Sequence, residues 1–309
     1  MITMICGAPS SGKSTLTKEY VNRGFISLNR DTEGGTIVGL LPKMESLLTD
    51  NKDIVLDNLF PTVEVRAPFI EMAKKFNVDI ECVLMGTSIE DSQFNAVQRM
   101  INLAGKFLSP EEIKSNKHPN IFPPVVLFRY KKEFEKPKLE EGFSKLIVVP
   151  FVRKIDPLFV NKALILDYDG CLRECVGGNG KYPVKEDQIK ILPNRKEVIK
   201  RFNEMGYLLL GISNQSGVAK KDLTYKECDQ LFKHTNKLLG FNIDYRFCPH
   251  APAPPNCYCR KPQVGLFVSL MNEYKLDPKK CIFVGDSTSD KTLSTRCGMK
   301  YYDQAEFFK

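Results

Sequence analysis

The sequence contains no apolar run approaching the ~18 residues that a membrane-spanning helix requires, which excludes a helical integral membrane protein. Its opening residues, MITMIC, lack the basic flank and cleavage site of a secretory signal; they run straight into a glycine-rich loop and read instead as a first β-strand. Internal repeats and low-complexity tracts are also missing, which excludes a solenoid or a fibrous chain. With no export signal, the ten cysteines point to a reducing compartment, where thiols serve packing, chemistry or metal binding rather than disulfides. The expected setting is the cytoplasm or the nucleus.

What is present suffices for two buried cores: 309 residues, 42% of them hydrophobic. Apolar runs alternate with amphipathic stretches throughout, the pattern of an α/β chain built on parallel sheets. Strands are expected at 1–6, 25–29, 53–58, 80–85 and 145–151 in the first half. In the second they are expected at 163–167, 207–213, 281–286 and 299–303. The segment 152–160, with Asp156-Pro157, separates the two sets, giving domains 1–155 and 156–309. The net charge of +8 is unevenly placed. Residues 1–150 hold 19 basic and 19 acidic side chains, and the remainder holds 26 against 18. A basic excess attracts polyanions such as nucleic acid, although a charge of this size also serves solubility.

Gly7 to Ser14 reads GAPSSGKS, between an expected strand and an expected helix. That context makes it a phosphate-binding loop. Gly7 and Gly12 let the backbone amides of Ser10, Ser11 and the following turn approach phosphate oxygens, aided by a helix N-terminus that includes Thr15. Lys13 would reach the terminal phosphates of ATP, and the Ser14 hydroxyl would ligate Mg²⁺. Asp31 follows the second strand, at the edge where open α/β sheets bind ligands. It suits a general base for an attacking hydroxyl, and equally a helix N-cap. Asp57-Asn58, ending the third strand, reads either as support for Mg²⁺ or acceptor or as ordinary strand-end polars.

GAPSSGKST, SLNRDT, VLDN, the stretch 89–99 and the stretch 130–143 together resemble the kinase domain of the polynucleotide kinase/phosphatases. The resemblance spans residues 1–151 and implies that Lys13 and Ser14 hold ATP and Mg²⁺, and that Asp31 is the base for a 5′-hydroxyl. It implies that Arg99 is a lid arginine neutralising charge on the transferred group. Two departures stand out: Gly34-Gly35 follow Asp31 where a phage member of the family has an arginine, and Val97 occupies a lid position often held by one. Lys106 or Arg66 is the candidate replacement.

In the second half, Asp167 closes an apolar strand and Asp169 follows two residues later. Alternate residues beyond a strand end face one pocket, so one carboxylate can act as nucleophile and the other as general acid and base. Asp286 and Asp290 follow another apolar strand, completing an oxygen-rich set suited to Mg²⁺. Ser213 ends a third strand, and Lys261 is a candidate for phosphate charge. This set resembles the haloacid dehalogenase superfamily of phosphatases. The resemblance implies that Asp167 forms an aspartyl-phosphate and that Asp169 protonates the leaving group and then activates water. It further implies that Ser213 and Lys261 bind the phosphoryl group, that Asp167, Asp169 and Asp286 serve Mg²⁺, and that Asp290 orients Lys261 or assists the metal.

Cys248, His250, Cys257 and Cys259 fall within twelve residues, and three thiols with an imidazole suit a tetrahedral, structural Zn²⁺. The loop resembles that of histidinol-phosphate and heptose-bisphosphate phosphatases, and by position it would set Lys261. The expected architecture is therefore an N-terminal P-loop kinase fold followed by a zinc-bearing, dehalogenase-like Rossmannoid phosphatase fold. The resemblance implies an end-healing enzyme that phosphorylates 5′-hydroxyl ends and removes 3′-phosphates of DNA or RNA, leaving termini a ligase joins, with no membrane involved. The competing expectation is a sugar or histidinol-type phosphatase fused to a P-loop metabolite kinase.

Overall fold

Short runs of branched and aromatic residues form the strands, and their near-continuous apolarity follows from cover on both faces of each sheet. The computed structural model describes residues 1–177, 182–253 and 257–309. The chain divides into two compact units, Met1–Ala96 with Lys117–Arg153, and Val97–Asn116 with Lys154–Lys309. The sequence-based partition places residues 97–116 in the first domain, whereas the contacts group them with the second unit. Gln98 and Asn272 exchange side-chain hydrogen bonds at 2.7 and 2.9 Å, which accounts for part of that grouping. Among the described residues no helix is long and apolar enough to cross a membrane.

The first unit is built on a five-stranded parallel sheet of β1 (Ile2–Cys6), β2 (Ile26–Leu28), β3 (Ile54–Asp57), β4 (Ile80–Met85) and β5 (Lys145–Val149). Their spatial order is β2-β3-β1-β4-β5. Ile2 pairs with Ile54 on one side and Ile80 on the other, so the central strand is buried along its whole length. Ile2, Met4, Leu56, Phe69 and Leu84 lie in one apolar core. Because these strands are parallel, the chain leaves β1, β2 and β3 at one edge, bringing the glycine loop, Asn29 and Asn58 to that edge.

The second unit has a parallel sheet ordered β10-β9-β6-β11-β12. Its members are β6 (Ala163–Leu166), β9 (Leu208–Asn214), β10 (Asp244–Cys248), β11 (Ile282–Gly285) and β12 (Lys300–Asp303), and β7 (Arg173–Cys175) pairs antiparallel with β8 (Ile189–Ile191). The nine expected strands are all found, within two residues at each end. The sequence pattern did not reveal β10 or the β7–β8 pair. β10 reads DYRFC, an edge strand with three half-exposed residues, where Asp244 and Arg246 break up any apolar run.

Candidate active sites

At the carboxyl edge of the first sheet the helix Lys13–Asn22 starts from Gly12, whose φ of 97° is a left-handed conformation that favours glycine. Lys13 turns back into the loop and donates from Nζ to the carbonyls of Gly7 at 3.0 Å and Ala8 at 2.9 Å. Two side chains outside the motif hold the loop: Asn95 donates to the Ser10 carbonyl at 2.9 Å, and Thr87 to that of Ser11 at 2.7 Å. The Ser10 and Ser11 hydroxyls are buried without hydrogen-bond partners. Buried donors without partners, an ammonium and a helix N-terminus together fit a polyphosphate. Ser14 and Thr15 are exposed on the first helical turn, accessible to a ligand.

Asp31 does not N-cap its helix. Asn29 does so, its Oδ1 accepting from the Asp31 amide at 2.7 Å. That leaves the Asp31 carboxylate exposed, paired at 3.0 Å with its neighbour Arg30. Asn58 accepts from the Arg30 amide at 3.1 Å and donates to the Leu28 carbonyl, so it ties β3 to the turn that carries Asp31. Asp57 is buried. Arg66 is not available as a replacement lid charge. It is fully buried, bidentate to Glu141 at 2.7 and 2.9 Å, and bonded to the carbonyls of Phe60 and Glu135. Lys106 is exposed and paired with Glu112 at 2.6 Å. Arg99 is half-buried on the helix Ile89–Ala104, where desolvation lowers its pKa from the ordinary value. It falls in the second unit, whereas Lys13 and Asp31 fall in the first.

In the second unit, β6, β9 and β11 deliver Asp167, Ser213 and Asp286 to one sheet edge. Asp167, Asp286 and Asp290 bring carboxylate oxygens within 4.8 Å of one another. Burial pushes Asp167 up to about 7, against the opposing pull of Lys261. Burial raises Asp286 as well, and Asp290 adds to it. Lys261, 1% exposed, sits between two of these acids, 2.8 Å from Asp167 and 2.7 Å from Asp290. Its Nζ also donates to the Ile212 carbonyl at 2.8 Å. One ammonium facing three carboxylates, those of Asp167 and Asp290 buried and that of Asp286 exposed, leaves room for a hard divalent cation, and the all-oxygen donor set fits Mg²⁺. Gly170 has φ 81°, and a Cβ there would stand 2.1 Å from an Asp286 oxygen, so glycine is required where the two motifs meet.

The structure brings Asp167, Ser213, Lys261, Asp286 and Asp290 to one site. Asp169 is not in the carboxylate group: its Oδ1 accepts from Arg173 Nε at 2.8 Å and its Oδ2 from Gln215 Nε2 at 2.6 Å. The sequence reading names Asp169 among the metal residues; in this structure its carboxylate is held by these two donors. Gln215 also donates to the buried Ser213 hydroxyl at 3.1 Å. Sequence reasoning missed Arg173 and Gln215, although a charged residue in an otherwise buried turn and an amide directly after β9 were both visible. The Asn214 side chain bonds the backbone of Lys261 twice, accepting from its amide at 2.9 Å and donating to its carbonyl at 3.1 Å.

Cys248, His250, Cys257 and Cys259 converge next to this site, with donor atoms within 4.8 Å of one another. Separations run from 3.1 Å between His250 Nδ1 and Cys259 Sγ to 3.7 Å between the Cys248 and Cys257 sulfurs. A tetrahedron with metal–sulfur bonds of about 2.3 Å has edges of about 3.8 Å, so the set is compact enough to close on one ion. Hydrogen bonding to Cys248 splits the thiols, holding Cys257 well below and Cys259 well above the usual range, and it pushes His250 up to about 10. Of the Pro-rich stretch inside this loop, residues 254–256 lie outside those described. A cavity of about 1020 Å³ runs along β10 and reaches this cluster, lined by Tyr225, Arg246, His250, Cys257 and Cys259 among others and by none of the site carboxylates.

A family model described as polynucleotide kinase 3 phosphatase matches residues 162–308. A D-glycero-beta-D-manno-heptose-1,7-bisphosphate 7-phosphatase of Helicobacter pylori is 36% identical over 145 residues, which is 45% of this chain and 81% of that protein. A bifunctional polynucleotide phosphatase/kinase of Schizosaccharomyces pombe is 32% identical over 151 residues, 48% of this chain and 33% of that protein. Among solved structures, a chain of a Pnkp1/Rnl/Hen1 complex aligns over 98% of this chain and 95% of its own length, at 13% identity and a TM-score of 0.35.

Proposed function

This chain belongs to the phosphatase family that its second half shares with the heptose-bisphosphate 7-phosphatases and the polynucleotide kinase 3 phosphatase domain, and from that premise we propose a bifunctional enzyme that heals nucleic-acid ends. Residues 1–155 would transfer the ATP γ-phosphate to a 5′-hydroxyl, and residues 156–309 would hydrolyse a 3′-phosphate. The observation that carries the proposal is the presence of both sites on one chain. Opposed phosphoryl activities are futile on one small molecule and complementary on the two ends of a broken strand. A ligase would consume the product.

In the kinase site, Lys13 and the loop amides hold the phosphates, Ser14 serves the accompanying Mg²⁺, and Asp31 takes the proton from the attacking hydroxyl. Arg99 is the proposed lid arginine. In the phosphatase site, Asp167 attacks phosphorus, forming an aspartyl-phosphate as the ester P–O bond breaks. Asp169 gives a proton to the departing oxygen and then takes one from the water that hydrolyses the intermediate. Ser213 and Lys261 bind the phosphoryl oxygens, and Asp290 holds Lys261. Asp167, Asp169 and Asp286, with Asp290 beside them, would hold Mg²⁺, which would supply charge neutralisation there. Zn²⁺ on Cys248, His250, Cys257 and Cys259 would fix the loop that leads into Lys261.

An oligonucleotide carrying a 5′-hydroxyl and a 3′-phosphate, incubated with ATP and Mg²⁺ and followed by mass at both ends, tests this. Gain of the 5′-phosphate with loss of the 3′-phosphate is expected. The 36% identity to a heptose-bisphosphate phosphatase favours a second reading, a small-molecule phosphatase. Unchanged ends in both DNA and RNA, together with turnover of a sugar bisphosphate, would select it.

A further inference from the structure

Asp169 is 17% exposed, and both of its carboxylate oxygens are held from within the protein. The group that holds Oδ1 is unusual for its position. Arg173 is a guanidinium at 1% exposure, and its ion pair is with Asp169. It is itself anchored: Nη1 donates to the Leu231 carbonyl at 3.0 Å and to the Thr235 hydroxyl at 2.7 Å, both on the helix Tyr225–Leu239. The guanidinium also lies 4.8 Å from the centre of the Phe232 ring. The backbone brings Arg173 back toward Asp169, since the Gly170 amide donates to the Arg173 carbonyl at 2.9 Å. On the other side Gln215 spans two residues of the site, donating to Asp169 and to Ser213.

We propose that Arg173 and Gln215 are positioning residues that fix the Asp169 carboxyl at the leaving-group side of the phosphatase site, Arg173 acting on phosphoester cleavage through Asp169 alone and Gln215 acting on the proton transfer through it. The proposal rests on the phosphatase reading above but not on the identity of the substrate. A structural ion pair would show the same contacts, so the test must read the proton transfer itself. In the step concerned, the P–O ester bond breaks as the Asp167 oxygen bonds to phosphorus, and the departing oxygen takes its proton from Asp169. A leaving group that is stable as an anion needs no such proton, and an alkoxide does.

The experiment compares p-nitrophenyl phosphate with glycerol 2-phosphate for the full chain and for Arg173→Met, Arg173→Lys and Gln215→Leu. A positioned general acid contributes about 10²–10⁴-fold. Arg173→Met is therefore expected to lower kcat on the alkyl ester at least about tenfold more than on the aryl ester, with Arg173→Lys recovering part of the difference. This ratio does not depend on the fraction of protein that folds. Should Arg173→Met fail to accumulate, Gln215→Leu carries the same prediction. In an Asp169→Asn background, the substitutions should leave the ratio within about twofold, because groups acting as one unit are non-additive. Equal losses on the two esters, or a ratio that still changes in the Asp169→Asn background, would overturn the positioning role and leave the phosphatase reading standing. Hydrolysis of neither ester by the unsubstituted protein, with Mg²⁺ present, would overturn both.

Discussion

Replacing Lys261 by methionine tests the carboxylate cluster most directly. The ammonium lies 2.8 Å from Asp167 and 2.7 Å from Asp290, at sites where the partners are 10% and 0% exposed. Removing one member of a buried pair leaves the other charge uncompensated, which costs about 3–5 kcal/mol. For a unit of 150–250 residues, each kcal/mol shifts the melting temperature by roughly 2–4 °C, so a drop of roughly 6–20 °C is expected. The Ile212 carbonyl also loses its donor. Mg²⁺ should restore more stability to the variant than to the parent, because the carboxylates no longer share their charge with the lysine. A ligand at 100 times its Kd adds about 2.7 kcal/mol, a shift that thermal unfolding with and without Mg²⁺ resolves easily. The deficit should shrink as the pH falls, since losing Lys261 raises the already raised Asp167 carboxyl further, and protonating it removes one of the charges left facing each other. A variant that melts with the parent, or one whose response to Mg²⁺ equals the parent's, would refute this account of the cluster.

Three further outcomes follow from the same geometry. Asp31→Ala should lower 5′-phosphorylation by about 10²–10⁴-fold, the usual contribution of a general base, and spare 3′-phosphate removal, while Asp167→Asn does the reverse; loss of both activities from either change would contradict two separate sites. Glu141→Gln leaves Arg66 buried beside a neutral amide, and a loss of about 3–5 kcal/mol in urea unfolding of the first unit is expected, with phosphatase activity retained. Structural zinc in small domains contributes an apparent ~10–16 kcal/mol, comparable to a whole domain's stability of about 5–15 kcal/mol. Chelation or Cys257→Ser should therefore melt the second unit early and abolish phosphatase turnover, and elemental analysis finding no zinc would sink the assignment.

The features legible in the sequence were those encoded over a few neighbouring residues. GAPSSGKS fixes its loop because Gly12 must adopt a positive φ directly before the helix, and the relation is local. Asp167 and Asp286 could be placed because each ends an apolar run, and the sheet then delivers both to one edge. Relations between distant segments were not legible. Arg66 read as an available charge on a helix, and only the fold shows that Glu141, 75 positions away, claims it. One partner of the Asp169 carboxylate was hidden for a related reason: Gln215, which holds it, lies 46 positions along the chain. β10 escaped notice because an edge strand is not obliged to be apolar on both faces.

The contacts of Lys13 bear on how the first site meets its ligand. Its ammonium is already satisfied by the carbonyls of Gly7 and Ala8, so an arriving phosphate competes with the loop's own backbone. Binding is then an exchange of partners, and the enthalpy it releases is the difference between two sets of hydrogen bonds. In return the lysine acts as a strut between the loop's two ends, bracing its shape through the Gly7 and Ala8 carbonyls. The entropy of ordering that loop is spent when the chain folds, and the encounter with nucleotide need not wait for a rearrangement.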